Sequence, residues 1–192
     1  MHAFLVSFGL IFLAELGDKS QLMAMTFAAR YKASTILLAI TAATAVVHLA
    51  SVLLGAVLGV ALPTRAISIV AGVAFLAFAA WTLRGDELDD DEVAQAARLK
   101  RSVFFTVAGA FFLAELGDKT MLATVTLAAD DTGFWALAGT WAGSTVGMVA
   151  ADALAIVVGQ QLGARLPERT VKIGAAITFV VFGVWLIADA IW

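Results

Sequence analysis

Not one of the 192 residues is cysteine, and only 14% are Asp, Glu, Lys or Arg. The first absence removes thiol nucleophiles, disulfides and thiolate metal sites from the available chemistry. The second removes an ordinary water-facing surface, because a soluble domain is roughly a quarter charged and about half apolar. Here 62% of residues are hydrophobic, with a mean hydropathy of +0.97. The basic start of a signal peptide is also missing. MHAFLVSFGL opens straight into an apolar run that contains charges, which reads as a mature first helix.

Apolar runs fill almost the whole chain, at about 3–29, 34–61, 66–83, 103–129, 134–162 and 171–191. A spanning helix needs about 20 residues. The runs are long, rich in Ala and Leu, and not alternating, so helices rather than barrel strands follow. The expectation is an all-α integral membrane protein of six transmembrane helices. Its partner is the lipid bilayer, and no nucleic acid is expected.

An internal repeat organises the chain. FLAELGDK occupies Phe12–Lys19 and again Phe112–Lys119, eight identical residues at an offset of 112 − 12 = 100. At an offset of 104, Gly55, Gly59, Pro63 and Arg65 match Gly159, Gly163, Pro167 and Arg169. Phe75, Phe78 and Trp81 likewise match Phe179, Phe182 and Trp185. The chain divides into a first three-helix repeat at 1–83, a charged linker at 84–102 and a second repeat at 103–192. Three helices is an odd number, so the second copy enters the membrane from the opposite side. Two inverted three-helix repeats are a recurring plan of secondary transporters, with the substrate site between them. A duplicated structural bundle without transport is the alternative.

Charge placement gives an orientation. Setting aside the intrahelical Lys19 and Lys119, 12 − 2 = 10 Lys and Arg remain. Arg30, Lys32, Arg84, Arg98, Lys100, Arg101, Arg165, Arg169 and Lys172 fall in the first, third and fifth loops, against Arg65 on the other side. By the positive-inside rule those loops are cytoplasmic and both termini lie outside. The polar run from Arg84 to Arg101 reads as a solvated linker. Gly55 and Gly59, their counterparts Gly159 and Gly163, and the series Gly139, Gly143 and Gly147 read as close-packing positions between helices.

Charges inside a bilayer are costly and mark function. Glu15, Asp18 and Lys19 fall mid-run in the first span, and Glu115, Asp118 and Lys119 in the fourth. Three residues apart on a helix, each Glu and Asp share a face. Gly17 and Gly117 remove bulk between them, which admits a close neighbour or a local break that exposes carbonyls. Ser20 and Thr120 add hydroxyls, and Gln21 an amide oxygen that its counterpart Met121 lacks. Facing each other across the repeat axis, the four carboxylates make an all-oxygen cage suited to magnesium, calcium or manganese. Such acids repel one another until a cation or protons neutralise them, and that competition is the basis of exchange. The bland alternative pairs Glu15 with Lys19 and Glu115 with Lys119. The lysines either neutralise the empty site or snorkel away. His48 and Asp152, at equivalent places in the second and fifth helices, are candidates for a proton relay or for lining the site.

ELGDKS at 15–20 and ELGDKT at 115–120 both fit E-x-G-D-[KR]-[ST]. Two such copies in a six-helix chain resemble the Gdt family of cation/proton antiporters, which includes Golgi and chloroplast-envelope members and bacterial manganese exporters. The resemblance covers essentially the whole chain. It implies a secondary transporter, not an enzyme, that exchanges manganese or calcium for protons and holds no resident cofactor. It also implies Glu15, Asp18, Glu115 and Asp118 as cation ligands, with Ser20 and Thr120 as neighbours. Gln21 fits the residue common after the hydroxyl, and Met121 departs from it. Without a targeting extension, the expected location is a prokaryotic plasma membrane. The competing readings are an exporter of a small organic solute, which four acids suit badly, and a passive divalent cation channel. An intramembrane aspartic protease is a third, but Glu15 and Glu115 stand where the first glycine of its G-x-G-D signature belongs.

Overall fold

Two of the six expected runs break in the middle. The computed structural model describes residues 1–61, 63–84, 103–162 and 168–191, and among these it forms eight helices. They are α1 (His2–Glu15), α2 (Lys19–Ala28), α3 (Ala33–Ala61), α4 (Thr64–Arg84), α5 (Val103–Glu115), α6 (Lys119–Asp130), α7 (Phe134–Leu162) and α8 (Glu168–Ile191). Most of the expected linker, with Gly163, Arg165 and Pro167, lies outside the described residues. So do the side chains of Trp81, Arg84, Arg169 and Lys172.

The runs 3–29 and 103–129 are each split at Leu-Gly-Asp. Leu16 is extended at φ −61° and ψ 122°, and Gly17 then takes φ +76°. Gly117 repeats this at φ +80°. A side chain in that left-handed region clashes with its own backbone, so only glycine adopts it cheaply. Glu15 and Asp18 therefore do not share a face of one helix, as an unbroken run would have placed them. Glu15 ends α1, and Asp18 stands just before α2, at its N-cap position but without a side-chain capping bond. Pro63, which lacks an N–H, stands between α3 and α4.

Polarity is distributed as a bilayer requires. Glu15, Asp18, His48, Glu115, Asp118, Lys119 and Asp152 are all buried. Leu38, Leu53, Val57, Val60, Val181 and Val184 are exposed. In water that arrangement would strand apolar surface, whereas in lipid it satisfies both sides. Among the described residues, α3 and residues 134–159 of α7 are each long and apolar enough to cross a membrane alone, with mean hydropathies of 2.2 and 1.7. At 14 and 13 residues, α1 and α5 are too short by themselves.

Packing crosses between the copies. The first copy's α1 and α2 lie on α7, the second copy's α5 and α6 lie on α3, and α4 pairs with α8. Glycines set these approaches. A Cβ at Gly55 would stand 2.4 Å from Val125 O, and one at Gly143 2.4 Å from Phe4 O. Between α4 and α8 the aromatic contacts are reciprocal. Phe75 stacks on Phe179 at 5.9 Å, and the cross pairs Phe75–Phe182 and Phe78–Phe179 lie at 6.4 and 5.9 Å.

Candidate functional site

The two helix breaks present their side chains to the interior. Glu15, Ser20, Glu115 and Thr120 are essentially inaccessible, and Asp18 and Asp118 are nearly so. Each glutamate is held by the hydroxyl five residues on. Ser20 donates to Glu15 Oε1, and Thr120 Oγ1 donates to Glu115 Oε2 at 2.9 Å. The break allows this contact, because a continuous helix carries positions i and i+5 around its axis away from each other. The other oxygens, Glu15 Oε2 and Glu115 Oε1, are buried without a hydrogen-bond partner.

Lys119 crosses between the copies. Its Nζ donates to Asp18 Oδ1 at 2.5 Å, with both side chains buried. This pair runs between the motifs, whereas the alternative reading pairs Glu115 with Lys119 within one, and the break at Gly117 removes the i,i+4 alignment which that pairing needs. Lys19 is only half-buried. The charges form one electrostatic cluster. Glu15 feels Glu115, Asp18 and Lys119, and Glu115 feels Asp118, Asp18 and Asp152. Among the described residues, however, no three of His, Asp and Glu converge closely enough to hold a metal ion as they stand. The carboxylates share a neighbourhood without forming a closed cage, and Lys119 occupies one of them.

Gln21 and Met121, unlike in chemistry, do the same work. Gly17 N donates to Gln21 Oε1 at 2.7 Å, and Gly117 N reaches Met121 Sδ at 3.2 Å. Each closes its break by accepting the glycine amide. Gln21 also donates through Nε2 to Ala151 O at 2.8 Å, tying the first break to α7. The structure thus places Gln21 on backbone groups. Met121, which the motif comparison sets aside as a departure, is its equivalent.

The second and fifth helices each bring one ionisable group. Asp152 on α7 is fully buried, neither of its oxygens has a hydrogen-bond partner, and it feels Glu15 and Asp18. His48 on α3 faces the other copy, with Nδ1 3.1 Å from Thr124 Oγ1 and Nε2 without a partner. Thr124 is within reach of three acceptors, since Thr120 O lies at 2.9 Å and Ser144 Oγ at 3.2 Å. A hydroxyl has one proton, so it serves one acceptor at a time. Sequence reasoning passed over Thr124 and Ser144. The available signal was Thr124 one helical turn after Thr120, on the same face.

These features define a membrane protein with a doubled acidic motif in its interior. The family model described as "Divalent cation/proton antiporter GDT1" matches residues 3–90 and 103–192, and the chain belongs to that family. The family is one of transporters, not an enzyme class. A Vibrio cholerae protein whose name proposes a manganese exporter is 34% identical over 175 residues, 90% of this chain and 84% of that protein. GDT1-like protein sll0615 of Synechocystis is 30% identical over 202 aligned positions, covering 96% of each. The divalent cation/proton antiporter GDT1 of Saccharomyces cerevisiae is 23% identical over 241 aligned positions, 99% of this chain and 85% of the yeast protein. No solved structure matches.

Proposed function

We propose that this chain exchanges manganese or calcium for protons across a prokaryotic plasma membrane, by alternating access at a site between its two halves. Glu15, Asp18, Glu115 and Asp118 bind the cation, helped by Ser20 and Thr120. The observation that carries this reading is the buried cluster itself, acids from both copies with Lys119 reaching from one to the other. Divalent cations and protons compete for such oxygens, and hard cations prefer them. The relative whose name proposes manganese export favours manganese. Gln21 acts by positioning the first break, and Asp152 and His48 line the site or pass protons.

In this reading α1 with α2, and α5 with α6, each make one broken span, giving six spans in two inverted repeats. Broken helices at a midplane site suit ion binding, because the break frees polar backbone groups. The reciprocal aromatic pairs between α4 and α8 support a twofold relation. With Arg30 and Lys32 on the cytoplasmic face, both termini are outside.

Uptake into inverted membrane vesicles tests the exchange, with manganese, calcium and magnesium compared under an imposed pH gradient. Uphill accumulation of manganese or calcium, abolished when the gradient is collapsed, is the expected result. Flux that only runs downhill and ignores the gradient would make the protein a passive channel instead.

A further inference from the structure

The two halves are alike at the motif and unlike on the way to it. A cavity of about 310 Å³ opens at the end of the molecule that holds the N-terminus, between α1, α6, α7 and α8. Ser7 and Thr140 line its inner part, and Asp130 and Asp131 its rim. Ser7 and Thr140 are both buried, and Ser7 Oγ has no hydrogen-bond partner. One turn further along α7 comes Ser144, about 6 Å on by helix rise. Ser144 Oγ lies 3.2 Å from Thr124 Oγ1, and one turn before Thr124 is Thr120, whose hydroxyl holds Glu115. Hydroxyls therefore mark out a lining from the cavity to a glutamate of the motif.

The repeat supplies an internal control. At the offset of 104, Thr140 and Ser144 correspond to Ile36 and Ile40, and at 100 Ser7 and Thr124 correspond to Val107 and Ala24. Every one of these four counterparts is in a single buried apolar cluster, packed with Phe27 and Phe111. Where one end has a hydroxyl-lined hollow, the corresponding positions at the other are packed in apolar side chains. The rims differ in the same sense, with Asp130 matched by the exposed Arg30.

We infer that Ser7, Thr140, Ser144 and Thr124 line the water-filled access route between the terminal face and Glu115, and that Ile36, Ile40, Ala24 and Val107 seal the equivalent route on the linker face. Resting on the exchange reading for what passes along it, the inference assigns residues to the route itself. Acids at the mouth concentrate cations. Hydroxyls along the wall replace part of a cation's hydration and carry water without binding the ion tightly.

The absence of native cysteine makes the test direct. Thr140→Cys, Ser144→Cys, Ile36→Cys and Ile40→Cys are made one at a time in the full chain, in nanodiscs without divalent cations. Each is reacted with a small charged methanethiosulfonate reagent. Thiols on the route should react at least about tenfold faster than those in the apolar cluster, because the reacting thiolate needs water. Labelling after denaturation confirms that each thiol is present, and a melting curve that each variant is folded. Should the isoleucine variants not fold, Thr124→Cys with and without Ser144→Val carries the test, and the valine should slow labelling of the deeper thiol. Equal rates at both ends, or an unreactive Thr140→Cys, overturn the inference, as does a valine without effect. A protein that labels as expected yet shows no coupled cation flux keeps its access route and loses the exchange reading.

Discussion

Lys119 of the second motif lies 2.5 Å from Asp18 of the first, so the two copies are joined by a buried ion pair rather than merely apposed. If Asp18 binds the cation as proposed, this lysine competes for the same oxygens. It would then hold the acid neutralised between cations and give way when one binds.

Replacing that lysine should therefore have two linked effects. Lys119→Met removes the ion pair to Asp18, and losing one partner of a buried pair costs about 3–5 kcal/mol. The cation-free protein should melt earlier. Manganese or calcium should then stabilise the variant more than it stabilises the parent, because the metal takes the vacated place. Melting curves with and without cation measure both, and equal stabilisation of variant and parent would show that the lysine does not compete.

The helix breaks make a separate claim about backbone. A Cβ at Gly117 would meet nothing within 4 Å, yet the residue sits at φ +80°. Gly117→Ala should thus cost about 1–2 kcal/mol from the left-handed conformation alone. Gly117→Asn should cost less, since Asn tolerates that region better. Chemical denaturation in detergent separates them. Indistinguishable alanine and parent proteins would mean that the break is not held in this conformation.

How much of this was legible in the sequence follows from which forces are local. FLAELGDK at Phe12 and again at Phe112 showed the duplication, and the charged residues inside apolar runs marked the candidate site, because both are read directly from the residues. The break was legible only as an alternative. Gly17 permits a positive φ but does not impose one, and its conformation depends on Gln21 accepting its amide. Pairing of Lys119 with Asp18, 101 positions apart, was hidden, because it depends on how α1, α2, α5 and α6 meet. Met121 looked like a departure because chemistry was compared where geometry mattered. Thr124 and Ser144 were missed for a plainer reason: uncharged hydroxyls are ordinary in membrane helices.

Helix packing gives a prediction with an internal control. A Cβ at Gly55 would stand 2.4 Å from Val125 O and 2.7 Å from Ala128 Cβ, whereas one at Gly109 meets nothing within 4 Å. Gly55→Ala must push α3 away from α6, and overpacking of this kind costs about 1–3 kcal/mol. Gly109→Ala, within helix α5, should instead stabilise by up to about 1 kcal/mol through helix propensity. Opposite shifts in melting temperature are expected. Shifts of the same sign would show that α3 and α6 do not approach as closely as described.

The decisive variants are Glu15→Gln, Asp18→Asn, Glu115→Gln and Asp118→Asn, which keep side-chain volume and remove charge. If the four carboxylates bind one cation, each change should cut coupled flux. Losing a charged hydrogen-bonding or ligating group is worth about 1.5–3 kcal/mol, which is roughly ten- to hundredfold in affinity. Stability should divide the set where flux does not. Glu15 and Glu115 each have one oxygen on a neighbouring hydroxyl and one without a partner, so neutralising either relieves repulsion and strands no cation. Their glutamine variants should melt at or above the parent temperature. Asp18→Asn removes the buried ion pair with Lys119 and should melt lower. A purely structural role for the acids predicts that flux and stability fall together in all four. Flux and melting temperature measured on the same preparations tell these accounts apart. Normal exchange in Glu15→Gln or Glu115→Gln would remove the glutamates from the cation site and with them the proposed mechanism.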